Sequence, residues 1–197
     1  MNILLVTAMQ KEANEIIKNL KLEKINEKLY EKENITLIIT GVTRNNVIKE
    51  LLELNNSKYN LKDAIVINVG LVGSNNLQIG EIVSVNKSYG YHFDLTPFDE
   101  KLYHAYNSPY ELNKINELKQ VDCYTSDGFV LQTDIKETCI FDMELNAITL
   151  FPHKELYSIK IVSDTLSDKL YNEFNYDKAI KETIKYINII IKRLTNR

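Results

Sequence analysis

Three carboxylates stand where the chain must change from one element to the next: Glu12 in Ala8-Met9-Gln10-Lys11-Glu12, Glu144 in Met143-Glu144 and Asp164 in Ser163-Asp164. Such a set can divide acid–base work, with one group protonating a leaving group, one deprotonating an attacking water and one holding substrate hydroxyls. Each also has a plainer explanation. Glu12 alone reads as a solvated helix residue, Glu144 as a carboxylate favoured by a helix dipole, and Ser163-Asp164 as an N-cap. Three further segments occupy comparable places: Asn68-Val69-Gly70, Asp94-Leu95-Thr96-Pro97-Phe98 and Ser126-Asp127-Gly128-Phe129. None of the six identifies anything by itself, and their order and context carry the signal.

The elements that must position these residues follow from periodicity. Residues 2–6 are apolar, and Thr7 with Gln10 fits a T-x-x-Q capping box, so a buried strand leads into a helix on which Met9, Ala13, Ile16, Ile17 and Leu20 recur at helical spacing. Ile35 to Ile39 predicts a strand ending before Gly41, and Val47, Leu51, Leu52 and Leu54 a second helix. Strands are expected over Ala64 to Val69, Gly80 to Val85, 119–124, 138–141 and 156–162, with helices from Met143 and over 172–195. Between Asn86 and about Asn116 the periodicity weakens, which predicts a long loop with a binding role. Alternating strands and helices define an α/β fold, one domain over 1–197, with a mostly parallel central sheet. Ligands of such folds gather at the carboxyl ends of strands, where five of the six segments lie.

Composition narrows the partners. With 24 Lys and Arg against 27 Asp and Glu, the formal charge is −3, and the electrostatic case for a nucleic-acid partner falls away. A small-molecule partner is expected. No basic run precedes Ile3-Leu4-Leu5-Val6, and the apolar run 187–191 is far shorter than a bilayer span, so the sequence predicts a cytoplasmic protein with no membrane partner. Cys123 and Cys139 suit neither a redox pair nor a four-ligand zinc site and are expected to be buried thiols; His92, His104 and His153 have no ligand spacing. Neither metal nor cofactor is implied.

Taken together, the six segments resemble the nucleoside phosphorylase/uridine phosphorylase superfamily, and within it most closely the 5′-methylthioadenosine/S-adenosylhomocysteine nucleosidases, over residues 1 to about 170. The resemblance implies a three-layer fold, a mixed sheet between helices, and hydrolysis of the bond between a purine and its ribose within methionine salvage. Cleavage of that bond passes through an oxocarbenium-like sugar. By the same resemblance Glu12 is the general base on water, Asp164 addresses the purine, Glu144 binds the ribose hydroxyls and Met143 packs on the sugar. Phe129 stacks on the base beside Val130, with Met9 and Gly70 completing the pocket. Leu95 and Phe98 match a loop that reaches into a neighbouring subunit's site, which implies a homodimer.

Two departures fall near the attacking water. Where the family writes Asn-Thr-Gly-Ser-Ala-Gly-Gly-Leu, this chain has Asn68-Val69-Gly70-Leu71-Val72-Gly73-Ser74-Asn75, so a hydroxyl becomes Leu71. The family's arginine four residues before the aspartate is Lys160, which keeps the charge and loses the planar fork. Phosphate as nucleophile is the alternative, and Arg44, after Gly41-Val42-Thr43, is its one candidate ligand outside the C-terminal tail; a surface residue at a helix start is the preferred reading. A non-catalytic nucleoside-binding homologue is the third. Retention of Glu12, Glu144 and Asp164 argues against the last, and Glu12 together with the hydroxyl lost at Leu71 favours water over phosphate.

Overall fold

The computed structural model describes residues 2–91, 109–166 and 175–195. Its elements are β1 (Asn2–Thr7), α1 (Gln10–Leu20), β2 (Glu23–Lys24), β3 (Leu29–Lys32), β4 (Ile35–Ile39), α2 (Arg44–Asn55), β5 (Ala64–Ser74), β6 (Ile82–Gly90), β7 (Tyr110–Glu111), β8 (Lys119–Thr125), β9 (Cys139–Asp142), α3 (Leu145–Ile148), β10 (Glu155–Asp164) and α4 (Tyr176–Thr195). The expected α/β architecture is present, a mixed sheet between two helical layers.

Strand β5 organises the sheet. One of its edges pairs in parallel with β1 over Ala64 to Asn68 and then antiparallel with β9 at Gly73 and Ser74, while its other edge runs parallel to β10 from Ile65 to Gly73. β10 continues to β6, β6 to β8, and β8 to β9, so this half of the sheet closes into a ring. The longest pairings are parallel, and the antiparallel ones are short.

Strands covered on both faces read as continuous apolar runs, and alternate residues then feed different layers. In β1 and β5, Leu4, Val6, Ala64 and Val66 pack with Val47 and Leu51 of α2 and Leu145 of α3. Ile3, Leu5, Ile65, Ile67 and Val69 pack with Ala13 and Ile16 of α1 and Ile180, Ile187 and Ile190 of α4. Cys123 and Cys139 are buried thiols, as their spacing suggested.

The structure corrects several boundaries. Met9, rather than Thr7, is the N-cap of α1, and the Thr7 hydroxyl is buried without a hydrogen-bond partner. The Gln10 side chain bonds Asn14 on its own helix. Leu52 faces solvent on α2, and β5 runs on to Ser74 because its far half gains β9 and β10 as neighbours. β6 extends through Gly90 into the stretch expected as loop, where β8 and β7 pair with it. No helix among the described residues is long and apolar enough to cross a membrane.

Candidate active site

Because β1, β5 and β10 are parallel neighbours, their carboxyl ends lie side by side, and β9 brings its own end back along β5. A cavity of about 300 Å³ opens there, within the range of small-molecule sites. Met9, Glu12, Phe129, Val130, Met143, Glu144 and Asp164 all line it. Gly70 and Lys160, also expected to meet the ligand, do not line it, and Lys160 is buried. Leu95 and Phe98 lie outside the described residues.

Glu12 sits one turn into α1 and is 2% exposed. Its Oε2 accepts hydrogen bonds from the Ala8 and Met9 amides at 3.0 and 2.8 Å, and its Oε1 from the Leu71 amide at 3.1 Å. The Met9 bond is the backward-reaching half of a capping box. Burial raises its carboxyl above the ordinary range, and the amides and the Lys160 charge oppose that rise. A carboxylate offers about four acceptor positions, so these amides leave roughly one, on Oε1.

Glu144 is the N-cap residue of α3. Its Oε1 accepts from the Thr43 amide at 3.1 Å, across 101 residues of sequence, and its Oε2 from the Met143 amide at 3.3 Å. Thr43 has φ 88, a conformation that costs a non-glycine residue roughly 1–3 kcal/mol and aims its N–H at this carboxylate. Burial first, then the Asp142 charge, pushes the Glu144 carboxyl up to about 7.

Asp164 ends β10 just after a bulge, where the pairing jumps from Val162–Val72 to Asp164–Gly73 and leaves Ser163 unpartnered in the ladder. The Ser163 hydroxyl donates to Val72 O and to Asp164 Oδ2, and the Leu166 amide donates to Asp164 Oδ1. Gly73 makes this placement feasible. A Cβ there would stand 2.6 Å from Asp164 Oδ1 and 2.9 Å from Leu166 Cδ2. Phe129 is 72% exposed, an open ring face on the cavity wall rather than a core residue.

Lys160 is fully buried, and its Nζ lies 2.7 Å from Asp142 Oδ2. Burial disfavours its charge, but the carboxylates of Asp142 and Glu144 more than compensate and hold it above its usual value. In the ladder Lys160 stands beside Gly70, so the lysine reaches across β5 to β9 at a residue without a side chain. Asp142 was missed in the sequence; its place at a strand's carboxyl end, two residues before Glu144, was the available signal. Arg44, the first residue of α2, forms a two-bond ion pair with Asp127 and does not line the cavity.

This arrangement belongs to the nucleoside phosphorylase-like fold, the class of structures to which the chain is similar along nearly its whole length. A Helicobacter pylori 5′-methylthioadenosine nucleosidase mutant with 5′-methylthioadenosine in its active site is 17% identical, with 98% of both chains covered and a TM-score of 0.79. The native futalosine hydrolase of the same organism is 14% identical over 98% of both chains at 0.79, and a nucleosidase of this kind from Chlamydia trachomatis is 18% identical over 98% of both at 0.73. The sequence matches no family model and no curated protein.

Proposed function

We propose that the protein hydrolyses the N-glycosidic bond of a purine nucleoside or a 5′-modified purine nucleoside, releasing free base and the ribose derivative. The observation that carries this reading is the meeting of Glu12, Glu144 and Asp164, from three separate elements, on one cavity. As the C1′–N bond breaks, its electron pair goes to the purine, to which Asp164 passes a proton drawn from solvent. The developing oxocarbenium is held through its hydroxyls by Glu144, and a water oxygen bonds to C1′ while its proton passes to the remaining acceptor position of Glu12 Oε1. Phe129 offers its exposed face to the base, and Met9 and Met143 pack on the sugar and its 5′ group.

Water is preferred over phosphate because Arg44, the arginine considered for a phosphate, is paired with Asp127 and does not line the cavity. The proposal includes a cytoplasmic homodimer with a role in methionine salvage. It is tested by chromatography of free base after incubation with methylthioadenosine, S-adenosylhomocysteine, adenosine, inosine and futalosine, each with and without phosphate. Base release independent of phosphate is expected from at least one of them. Release only with phosphate would replace hydrolysis by phosphorolysis, and no release from any would remove this reading.

A further inference from the structure

We propose that Lys160 and Asp142 are positioning residues: Asp142 forms part of the cavity wall, but both side chains are buried behind it as a pair of opposite charges that sets the protonation of Glu144 and Glu12. This rests on the hydrolytic reading only for what the two glutamates do. The electrostatic arrangement itself is a property of the free protein.

The pair is built into the fold. The Lys160 and Asp142 side chains are 1% and 0% exposed. Asp142 is held by three donors, with Oδ1 accepting from the Thr125 hydroxyl at 2.6 Å and Oδ2 from Lys160 Nζ at 2.7 Å and the Leu145 amide at 3.0 Å. The Leu145 bond ties the pair to the start of α3, whose N-cap is Glu144. Gly70 links it to the other glutamate. Lys160 Nζ and Glu12 Oε1 each lie 3.5 Å from the point a Gly70 Cβ would occupy, so they are no further apart than twice that distance.

The groups around Glu144 oppose one another. Asp142 from β9 and Glu12 from α1 disfavour its charge, whereas Lys160 from β10 and the Thr43 amide before α2 favour it. Cys123 of β8 adjoins Asp142 and Lys160, and burial keeps its thiol protonated. Burial is the largest influence and raises the carboxyl, and with these opposing neighbours the net result lies close to neutral pH. Opposite partners must therefore move Glu144 in opposite directions when removed, a pattern that simple loss of packing does not produce.

The test is a titration of the Glu144 side-chain carboxyl by NMR in the free protein, assigned with Glu144→Gln, alongside the pH dependence of kcat/KM for base release. Asp142→Asn should lower the Glu144 midpoint by about one pH unit and Lys160→Met should raise it by about one, the usual scale for a neighbouring charge. The low-pH limb of kcat/KM should move with each. Lys160→Arg should leave both near the parent values.

Removing one member of a buried pair is destabilising, whereas replacing both together is better tolerated. If Lys160→Met does not fold, the Asp142→Asn/Lys160→Met double variant decides, with a midpoint above that of Asp142→Asn alone. An unmoved midpoint in Asp142→Asn, or shifts of the same sign in the two single variants, would overturn the proposal. If no nucleoside is cleaved by the parent, the hydrolytic reading fails while the titration still judges the pair.

Discussion

Each carboxylate of the site is held by neighbours that a neutral amide cannot fully replace. In Glu12→Gln one terminal atom becomes an NH₂, which sets a donor against the Leu71 amide or against those of Ala8 and Met9, and the acceptor for the water proton is lost. Turnover should fall at least roughly 10²-fold, the scale of a lost general base, and the buried donor clash should also lower the thermal midpoint while leaving the protein folded. Asp164→Asn should cause a comparable loss. A folded variant with near-parental turnover would remove the role given to that residue. Glu144→Gln should lower the preference for ribose over 2′-deoxyribose substrates as well as the rate, and unchanged discrimination would contradict hydroxyl binding. That Glu12, Glu144 and Asp164 stand together was legible because each lies at a strand end or soon after one, and all three line one cavity. Their backbone partners were not legible. The contact between Glu144 and the Thr43 amide joins residues far apart in the chain, and local pattern carries no trace of it.

At the scale of the elements, the end of β5 decides where the carboxylates stand. Gly70 and Gly73 look interchangeable in sequence but differ in space. Gly73→Ala places a Cβ 2.6 Å from Asp164 Oδ1, so Asp164 must move, and a displacement near 1 Å can cost about 10²-fold in rate. Gly70→Ala meets its neighbours at 3.5 Å, ordinary contact, and should retain activity within about tenfold. Steady-state kinetics of the two variants check the contrast, and equal effects would contradict the account of the bulge. Apolar strands such as Ile3 to Val6 and Ala64 to Val69 were readable because both faces are covered. The far half of β5 and the last residues of β6 were not, since glycines and polar residues there become strand only by pairing with β8, β9 and β10. The same limit explains Thr7. Its type suits a cap, but its backbone is committed to β1, and Met9 takes the position with Glu12 reaching back to it.

For the whole molecule, the buried acids tie stability to pH. Glu144 is raised from 4.5 to about 7 in the folded state and Glu12 is raised as well, so the native protein binds these protons more tightly than the unfolded chain. The contribution of Glu144 to stability is fully present below about pH 4.5 and is lost as pH rises through about 7, and that of Glu12 has the same sign. The urea midpoint, measured across that interval, should fall less steeply with pH in Glu144→Gln than in the parent; an equal slope would show that Glu144 is not the group that titrates. Across the described residues the α/β class was legible, because alternating strands and helices leave few other packings. Closure of the half-ring through β5 was not, because it depends on register between distant strands.

The central claim is that these carboxylates direct water to the anomeric carbon. It is tested most directly by running the reaction in oxygen-18-enriched water, once a cleaved nucleoside is found, and analysing the initial sugar product by mass spectrometry before exchange. The account predicts one labelled oxygen in the ribose derivative, with or without phosphate present, and label lost in step with turnover in Glu12→Gln. An unlabelled sugar, or a sugar 1-phosphate as the first product, would contradict it.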